Sequence, residues 1–458
     1  MNANANAISR GGDRLIAVLI SVLLICLMFF SLILSSTEEI LAYTKVGDAS
    51  AKAPEITASS AIMYSDDLDK VLYAKNESGR EDPYSITKLI TAYIVCDKLD
   101  LDTEVTASKN AGNPPAGSSN IELEEGETMT VENLLYGLLI ESGNDCAIAL
   151  AEAVSGSEEE FAKLMTKTAK EWGCKNTSFA NASGWQDDDH YTTAEDYLII
   201  AEKAFSNKTI RKITSTKEYT IPATNKSSAR EIESHVTLIN AKNSGVVRGK
   251  TGRWDDDDCS VALQYSKDEL NVTLILIGDT KKGRISDCKK LLAYAHEVAE
   301  GYEAVNKKDS VGKLWISGGK HTHIDVYADD TAYAYPASGK EGDIDVEIIK
   351  GKDVKAPLKK GDVVGKCKIT VDGKLVAVRN LIVKEDVEKG WFTSAIYMSN
   401  QVATLLLIAV AGYVIIVIVA VRKKRLRRAR RAQRSADFAN ERAREHNGEY
   451  VGRHSSKR

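Results

Sequence analysis

Cysteine and histidine are scarce in this chain of 458 residues, which contains seven of each. No C-x-x-C pair is present and no cysteine stands beside a histidine at ligand spacing, so we expect neither a zinc site nor any other metal or cofactor. An even number of cysteines lies outside the first apolar run, which permits disulfides. Their irregular spacing in a large chain nevertheless predicts mostly free, buried thiols: Cys96, Cys146, Cys174, Cys259, Cys288 and Cys367.

Apolar runs long enough to cross a membrane are also few, and they lie near the two ends of the chain. The first run, Leu15 to Ser36, has no charged residue and follows two arginines, which is typical of a secretory signal. Its length would also span a bilayer, so residues 1–42 are predicted to be a signal peptide or an N-terminal anchor. The second run, residues 402–421, has about the 20 residues that a transmembrane helix needs.

Positive charge is concentrated directly after the second apolar run. Residues 422–458 contain 14 Lys or Arg against 4 Asp or Glu, and because the whole chain carries −4, the remainder carries −14. The positive-inside rule predicts a cytoplasmic tail and places residues 43–400 outside the membrane. A nucleic-acid-binding tail is the alternative, but the charges abut a membrane span. We therefore predict the cell membrane, and no nucleic acid, as a partner.

A serine and a lysine stand three residues apart where a long apolar helix is predicted to begin. Pro83 suits the first turn, because it fixes φ and lacks the N–H that this turn leaves unpaired. Residues 86–96 are apolar nearly all round at helical spacing, which indicates a buried helix. Ser85 and Lys88 would then share one face, and a buried neutral lysine can activate a serine without histidine. The alternative is a capping serine beside a surface lysine.

Two further motifs place polar groups at the ends of predicted elements. A Ser-x-Asn turn at residues 142–144 interrupts a helical segment, so that both polar side chains can point into one cleft. A strand over residues 246–252 ends in Lys-Thr-Gly, where glycine would let a bound chain pair with the backbone. Their plain alternatives are a helix-to-helix turn and a strand end with a surface lysine. The Gly- and Pro-rich loop at residues 110–120 is expected to border a cleft.

The order of the predicted elements indicates an α+β domain followed by a small all-β domain. A hairpin over residues 61–74 precedes the Ser85 helix, and further helices are predicted over residues 157–172, 190–205 and 289–298. Antiparallel strands are predicted over residues 246–252, 261–265 and 271–277. After Asn306 only short strands are expected, over residues 331–335, 343–349, 366–371 and 375–383. His190 and His235 are interpreted as structural residues.

The three motifs, in the order Ser-x-x-Lys, Ser-x-Asn and Lys-Thr-Gly, together resemble those of the serine penicillin-recognising enzymes. Residues 83–92, 142–147 and 190–196 look like the low-molecular-mass penicillin-binding proteins, the D-alanyl-D-alanine carboxypeptidases of serine peptidase family S11. The resemblance implies a β-lactamase/transpeptidase-like domain over residues 54–303, with helices on both sides of an antiparallel sheet. A small all-β domain over residues 305–390, the transmembrane helix and the basic tail would follow.

The same resemblance implies a role for each motif residue. Ser85 would attack the carbonyl between the two D-alanines of a peptidoglycan stem peptide, and water would hydrolyse the acyl-enzyme. Lys88 would take the serine proton, and Ser142 would relay a proton to the leaving amine. β-Lactam antibiotics would acylate the same serine. The substrate-binding residues would be Asn144, Lys250, Thr251, Gly252 and Arg253, the last through a backbone N–H that forms an oxyanion hole with that of Ser85.

Two departures from the family pattern leave other functions open. Arg253, Trp254 and four aspartates at residues 255–258 replace the usual threonine and Ala-Gly pair. These acids could repel a carboxylate substrate or merely face solvent. The arginine of many relatives is not evident at residues 278–280, which leaves Arg284 or Arg248 as candidates. A non-catalytic wall-binding scaffold of the same fold is therefore one alternative. A β-lactamase is another, although no Glu-x-x-Leu-Asn follows Ser142 where class A enzymes carry it.

Overall fold

A computed structural model describes residues 43–321, 323–390 and 400–452 of the chain, and the side chains of the C-terminal helix over residues 404–443. The predicted signal peptide or anchor, residues 1–42, lies outside the described residues, as do the last six residues of the predicted tail. Among the described residues, the six cysteines predicted to be thiols are free, and all except the half-buried Cys96 are buried, which confirms that prediction.

The first and larger part of the structure mixes helices with antiparallel strands. In chain order its elements are β1 (Thr44–Val46), β2 (Ser60–Ser65), β3 (Lys70–Lys75), a 3₁₀ turn (Tyr84–Thr87), α1 (Lys88–Lys98), β4 (Glu104–Thr106), β5 (Thr128–Thr130), α2 (Val131–Tyr136), a π-helical turn (Gly137–Glu141), α3 (Asn144–Ser155), α4 (Glu158–Trp172), α5 (Ala194–Ser206), α6 (Lys208–Thr214), β6 (Glu218–Ile221), β7 (Arg230–Glu233), α7 (Thr237–Asn240), β8 (Val246–Arg253), β9 (Cys259–Lys267), β10 (Leu270–Asp279) and α8 (Lys281–Val298).

The second part consists of strands, followed by one long helix. Its elements are β11 (Gly301–Val305), β12 (Ser310–Trp315), β13 (His323–Ala328), β14 (Ala332–Ala334), a 3₁₀ turn (Glu341–Asp343), β15 (Ile344–Lys350), β16 (Val363–Val371), β17 (Lys374–Ile382) and α9 (Asn400–Gly452). The architecture confirms the predicted fold class, an α+β transpeptidase-like region followed by a small β region and an apolar helix.

A five-stranded antiparallel sheet in the order β3-β2-β10-β9-β8 forms the centre of the larger part. It is covered on both faces, which explains why its inner strands are apolar without alternation. In β10, Ile275 and Ile277 belong to the core shared with α1, α3 and α5, whereas Leu274 and Leu276 belong to the core shared with α8. Strand β8, which carries the Lys-Thr-Gly motif, lies at an edge where a cleft can open.

The helix boundaries follow the sequence where a cap is present. Ser157 accepts a hydrogen bond from the Glu160 N–H and begins α4, as the capping box predicted. The start predicted for the closing helix was wrong by eight residues, because α8 begins at Lys281. Its first turns are polar and show no apolar spacing, but the Thr280 hydroxyl caps them by accepting from the Gly283 N–H.

The five-stranded sheet of the β region contains two strands that the sequence analysis did not predict. That sheet has the order β12-β13-β17-β16-β15, and β12 and β13 were not expected. Strand β14 instead joins β11 and β1 in a separate three-stranded sheet. Arg379 of β17 pairs with Glu269, which lies in the turn between β9 and β10, and Glu269 also accepts the Tyr333 N–H at 2.9 Å. These contacts connect the β region to the central sheet.

Helix α9 contains the second apolar run. Over residues 404–443 it is long and apolar enough to cross a membrane, since its most apolar window of 18 residues has a mean hydropathy of 3.0 and no buried residues. The helix is therefore a candidate membrane anchor.

Candidate active site

Ser85 lies in a tight 3₁₀ turn directly before α1, rather than in the first turn of an α-helix. The residue before it, Tyr84, has a φ of +53°, a left-handed conformation that bulky residues rarely adopt. Gly184 approaches the same turn so closely that a Cβ would lie 1.9 Å from the Tyr84 carbonyl oxygen. The turn therefore presents Ser85, half-buried, at the open end of a buried helix.

Lys88 occupies the first position of α1 and has no exposed surface. Its Nζ lies 2.8 Å from the Ser85 Oγ, 2.8 Å from the Asn144 Oδ1 and 2.7 Å from the Ser183 carbonyl oxygen. Burial lowers the pKa of Lys88 to about 7, against the opposing effect of the Asp145 carboxylate. A neutral amine can therefore be present beside the serine hydroxyl at physiological pH.

Ser142 and Lys250 form a second hydroxyl–amine pair. The π-helical turn before Ser142 ends there because this residue has a φ of +68°, and α3 begins two residues later at Asn144. The Lys250 Nζ donates to the Ser142 Oγ at 2.8 Å and to the Thr251 carbonyl oxygen at 2.8 Å. Burial, with the nearby charges of Lys88 and Arg284, lowers the pKa of Lys250 well below its usual range.

Gly252 allows strand β8 to pack against the nucleophile turn. A Cβ at this position would lie 2.2 Å from the Ser260 Oγ and 2.9 Å from the Ser85 backbone nitrogen. Ser260 holds the other side of the turn, because its hydroxyl donates to the Pro83 carbonyl oxygen at 2.7 Å. Glycine is therefore required by this close approach of the protein's own backbone, in addition to the predicted approach of a bound chain.

The two pairs border a single cleft of about 450 Å³. Among the described residues that line it, none is Asp or Glu, and three are Lys or Arg: Arg253, Lys281 and Arg284. Thus the four aspartates after Trp254 do not face the cleft. Asp256 pairs with Arg253 at 3.1 Å and with Lys281 at 3.5 Å.

The structure separates the two candidate arginines. Arg284, in the first turn of α8, lines the cleft and donates to the carbonyl oxygens of Gly252, at 2.8 Å, and Ser260, at 3.1 Å. Arg248 lies outside this cleft, where it donates to the Gln264 Oε1 at 2.6 Å. A cationic residue is therefore available beside Thr251, although residues 278–280 do not provide it.

Six of the residues predicted from the three motifs line this cleft: Ser85, Ser142, Asn144, Thr251, Gly252 and the exposed Arg253 at its rim. The other two, Lys88 and Lys250, are buried and donate to the Ser85 and Ser142 hydroxyls. Residues 117–119 also line the cleft, as expected for the loop over residues 110–120.

His190 lies behind the site. Its Nδ1 accepts the Ala180 N–H at 3.2 Å, so its Nε2 donates to the Thr87 Oγ1 at 3.0 Å, and burial lowers its pKa to about 4.

Several cleft residues were not predicted as site residues from the sequence, among them Trp185, Trp254 and His235. Trp185 and Trp254 come from two separate loops, and His235, interpreted as structural, lines the rim, where it lies 3.6 Å from Glu141. No local pattern identifies the two tryptophans, because tertiary packing alone brings them to the cleft. For His235, the residue type was the only feature of the sequence that could have indicated a place in the site.

The fold and the cleft together place this chain in a class of serine hydrolases in which the serine hydroxyl contacts a lysine amine in place of a histidine. The family model described as D-alanyl-D-alanine carboxypeptidase, Peptidase_S11, matches residues 48–281, and that of the penicillin-binding protein 5 C-terminal domain matches residues 300–389. The chain therefore belongs to the S11 family of serine peptidases, the D-alanyl-D-alanine carboxypeptidases, and is an enzyme of that class.

Curated and solved relatives agree with this assignment. The chain is 32% identical to the D-alanyl-D-alanine carboxypeptidase DacF of Bacillus subtilis, over 73% of this chain and 87% of that protein. It is 28% identical to DacA of Escherichia coli K12, over 74% and 86%. The structure of penicillin-binding protein 5 from Haemophilus influenzae matches with a TM-score of 0.52 and 27% identity, over 74% of this chain and all of that one.

Proposed function

We propose that this chain is a membrane-anchored, extracytoplasmic carboxypeptidase that removes the terminal D-alanine from peptidoglycan stem pentapeptides through an acyl-enzyme on Ser85. The observation that carries the proposal is the fully buried Lys88 amine, 2.8 Å from the Ser85 Oγ, with a pKa lowered to about 7. A neutral amine in this position can accept the hydroxyl proton as the oxygen attacks.

Each step of the reaction has a group within reach. The Ser85 Oγ bonds to the carbonyl carbon between the two D-alanines while its proton passes to Lys88. The backbone N–H groups of Ser85 and Arg253 stabilise the oxyanion. The carbon–nitrogen bond then breaks, and the proton that Lys88 accepted passes through the Ser142 hydroxyl to the leaving amine, so that Lys88 is neutral again. Lys250 holds the Ser142 hydroxyl in place for this transfer. Water, deprotonated by Lys88, finally hydrolyses the ester and restores the hydroxyl.

The substrate carboxylate is held by the hydroxyl of Thr251 and by positive charge behind it. Arg284 supplies that charge, and none of the described residues that line the cleft is acidic. An anion bound there would also favour the charged form of Lys250, which burial otherwise disfavours. Asn144 orients Lys88 through its Oδ1, and its amide group remains for the substrate backbone.

Anchoring follows from helix α9, whose apolar residues 402–421 would span the bilayer with the basic residues 422–458 in the cytoplasm. The catalytic region, residues 54–303, and the β region, residues 305–390, would then both face outwards. The β region would hold the catalytic cleft away from the membrane surface.

Fluorescent penicillin and a stem pentapeptide ending in D-Ala-D-Ala test the proposal together. The full-length protein in detergent is expected to become labelled and to release one D-alanine per peptide, and Ser85→Ala is expected to do neither. A well-folded protein that takes no label would support the non-catalytic scaffold instead. Transfer of the acyl group to an added amine, in place of release to water, would indicate a transpeptidase.

Two observations weaken the alternatives raised by the sequence. The scaffold rested on an acidic insert and a missing arginine, but the acids lie outside the cleft and Arg284 lines it. A β-lactamase needs a base that deacylates the penicilloyl-enzyme, and the described residues that line the cleft include no carboxylate for that role. We therefore expect the β-lactam adduct to persist.

A further inference from the structure

Two tryptophans meet at the mouth of the cleft, beside the proposed oxyanion hole. The rings of Trp185 and Trp254 are edge-to-face, with centroids 4.8 Å apart and an interplanar angle of 65°. Both line the cleft, and Trp254 is 42% exposed. An exposed aromatic pair of this size contributes little to the core, but it offers a rigid apolar surface to a ligand.

Hydrogen bonds fix the backbone on both sides of this pair. The Asn181 side chain accepts the Trp185 N–H at 3.0 Å and donates to the Trp185 carbonyl oxygen at 2.7 Å. The Trp254 N–H donates to the Asp258 carbonyl oxygen at 2.9 Å, which closes the connection between β8 and β9. The backbone that carries the pair is therefore ordered before any substrate binds.

The position of the pair along β8 indicates which part of the substrate it contacts. In the proposed function, on which this inference rests, the carboxylate lies near Thr251 and the reacting carbonyl near the Arg253 N–H. A substrate strand with this order runs antiparallel to β8. The residue before the two D-alanines then lies one step further along, beside Trp254, because each residue of a strand advances about 3.3 Å.

Acidic residues adjoin the segments that carry the aromatic pair. Asp82 accepts a hydrogen bond from Gln186, the neighbour of Trp185, at 3.1 Å. Asp255 accepts the N–H groups of Asp257 and Asp258 at 2.8 and 2.9 Å. Burial and the negative charges of Asp255, Asp82 and Asp257 raise the pKa of Asp258. An ammonium group placed here would relieve this like-charge repulsion, whereas Arg253 and Lys281 are paired with Asp256.

We propose that Trp185 and Trp254 bind the side chain of the residue that precedes the two D-alanines, and that they select an aliphatic chain ending in an ammonium group. The methylene groups would pack on the rings, and the ammonium would lie over a ring face and near Asp255 and Asp258. This contact lies upstream of the bond that is cleaved, so it affects substrate choice and leaves the hydrolytic steps unchanged.

Three pentapeptides that differ only at the third residue test this inference on the full-length enzyme in detergent. The third residue is lysine, norleucine, which keeps the methylene chain without the amine, or alanine. We expect kcat/KM for D-alanine release to follow the order lysine, norleucine, alanine, with a total span of about tenfold or more. Equal values for lysine and alanine would overturn the inference.

Variants separate a specificity role from a structural one. Trp254→Ala is expected to lower kcat/KM for the lysine peptide about tenfold and for the alanine peptide less than twofold, and Trp254→Phe to restore most of the difference. Asp258→Asn should reduce only the preference of lysine over norleucine. The exposed Asp102, in the turn after α1, provides Asp102→Asn as a matched charge control that leaves all ratios unchanged.

The possible failures are distinct. If wild-type enzyme releases no D-alanine from any of the peptides, the proposed function fails, whatever Trp254 does. If it releases D-alanine and Trp254→Ala slows all three peptides by the same factor, the tryptophan has a structural role and only this inference fails. The inference is also overturned if norleucine and lysine peptides are equal and Asp258→Asn changes neither.

Discussion

The floor and the mouth of the cleft differ in how far their basic side chains are exposed to water. The floor comprises Ser85, Lys88, Ser142, Asn144 and Lys250, and both of its amines are removed from water. The mouth comprises Trp185, Trp254, Arg253 and Lys281, and its two basic side chains, which pair with Asp256 outside the cleft, are more than half exposed. Burial changes the protonation of a lysine, whereas water screens an exposed ion pair. We therefore expect the floor to carry out the reaction, and the side chains of the mouth to affect which substrate is chosen.

The largest effect is expected from the floor. Lys88→Met keeps the length of the side chain but removes the base, and we expect acylation by penicillin to fall by about 10²–10⁴. The measurement is the rate of penicilloyl-enzyme formation under pseudo-first-order conditions. Lys167→Met, on the exposed surface of α4, is the matched control and should acylate at the wild-type rate. A Lys88→Met enzyme within tenfold of wild type would mean that another group takes the proton.

Arg284 lies between the two regions, since it lines the cleft but is tied to the backbone of β8 and β9. Arg284→Leu is expected to raise KM for the pentapeptide roughly 10- to 100-fold, because a charge-assisted bond to the carboxylate is lost. Arg284→Lys keeps the charge and should recover part of the affinity. A change in kcat with KM unaltered would contradict a role in substrate binding.

Stability extends the comparison to ion pairs. The Glu127 carboxylate is fully buried against Arg230 at 2.8 Å, and Glu127→Gln is expected to lower the free energy of unfolding by about 3 kcal/mol. Burial acts to raise the pKa of Glu127, but bonds from Arg230 and Thr224 outweigh it, so the pKa is lowered from 4.5. The stabilisation of the fold by this carboxylate is therefore fully present above the pKa that Glu127 has in the unfolded chain. It is lost as the pH falls through the lower pKa that Glu127 has in the folded protein. Denaturant unfolding at pH 7 and below pH 4 measures both effects.

The smallest effect is expected at the ion pairs of the mouth. Asp256 is 71% exposed where it pairs with Arg253 and Lys281, so Asp256→Asn should change the free energy of unfolding by less than about 0.5 kcal/mol. Denaturant unfolding beside Glu127→Gln provides the comparison. If Asp256→Asn lowered the free energy of unfolding as much as Glu127→Gln does, solvent exposure would not explain the difference between the two ion pairs.

The sequence predicted the Ser85–Lys88 pair of the floor from local geometry, and the rest of the floor from the resemblance of its motifs to a known family. Residues three apart in a helical turn must share a face, so Ser85 and Lys88 were expected to meet, and their amine–hydroxyl contact is present. The apolar runs of β9 and β10 were equally informative, because strands covered on both faces have few polar positions. The prediction was less accurate for α8, whose polar first turns carry no periodic pattern.

The mouth could not be predicted, because packing between distant segments builds it. Trp185 reaches the cleft through a turn held by Asn181, and Trp254 through a connection closed by Asp258. The sequence left Arg248 and Arg284 as equal candidates, since spacing alone does not show that α8 brings the second of them under β8. In the β region, β12 and β13 were missed because they are short and half-exposed.

The most direct test of the account is the pH dependence of Ser85 acylation by penicillin. The base is the neutral form of Lys88, so the rate should rise about tenfold per pH unit below pH 7 and level off above it. Glu158 raises the pKa of Lys88, so Glu158→Gln should move the inflection to lower pH. A rate that stays constant through pH 7, or an inflection that Glu158→Gln leaves in place, would contradict the assignment of Lys88 as the base.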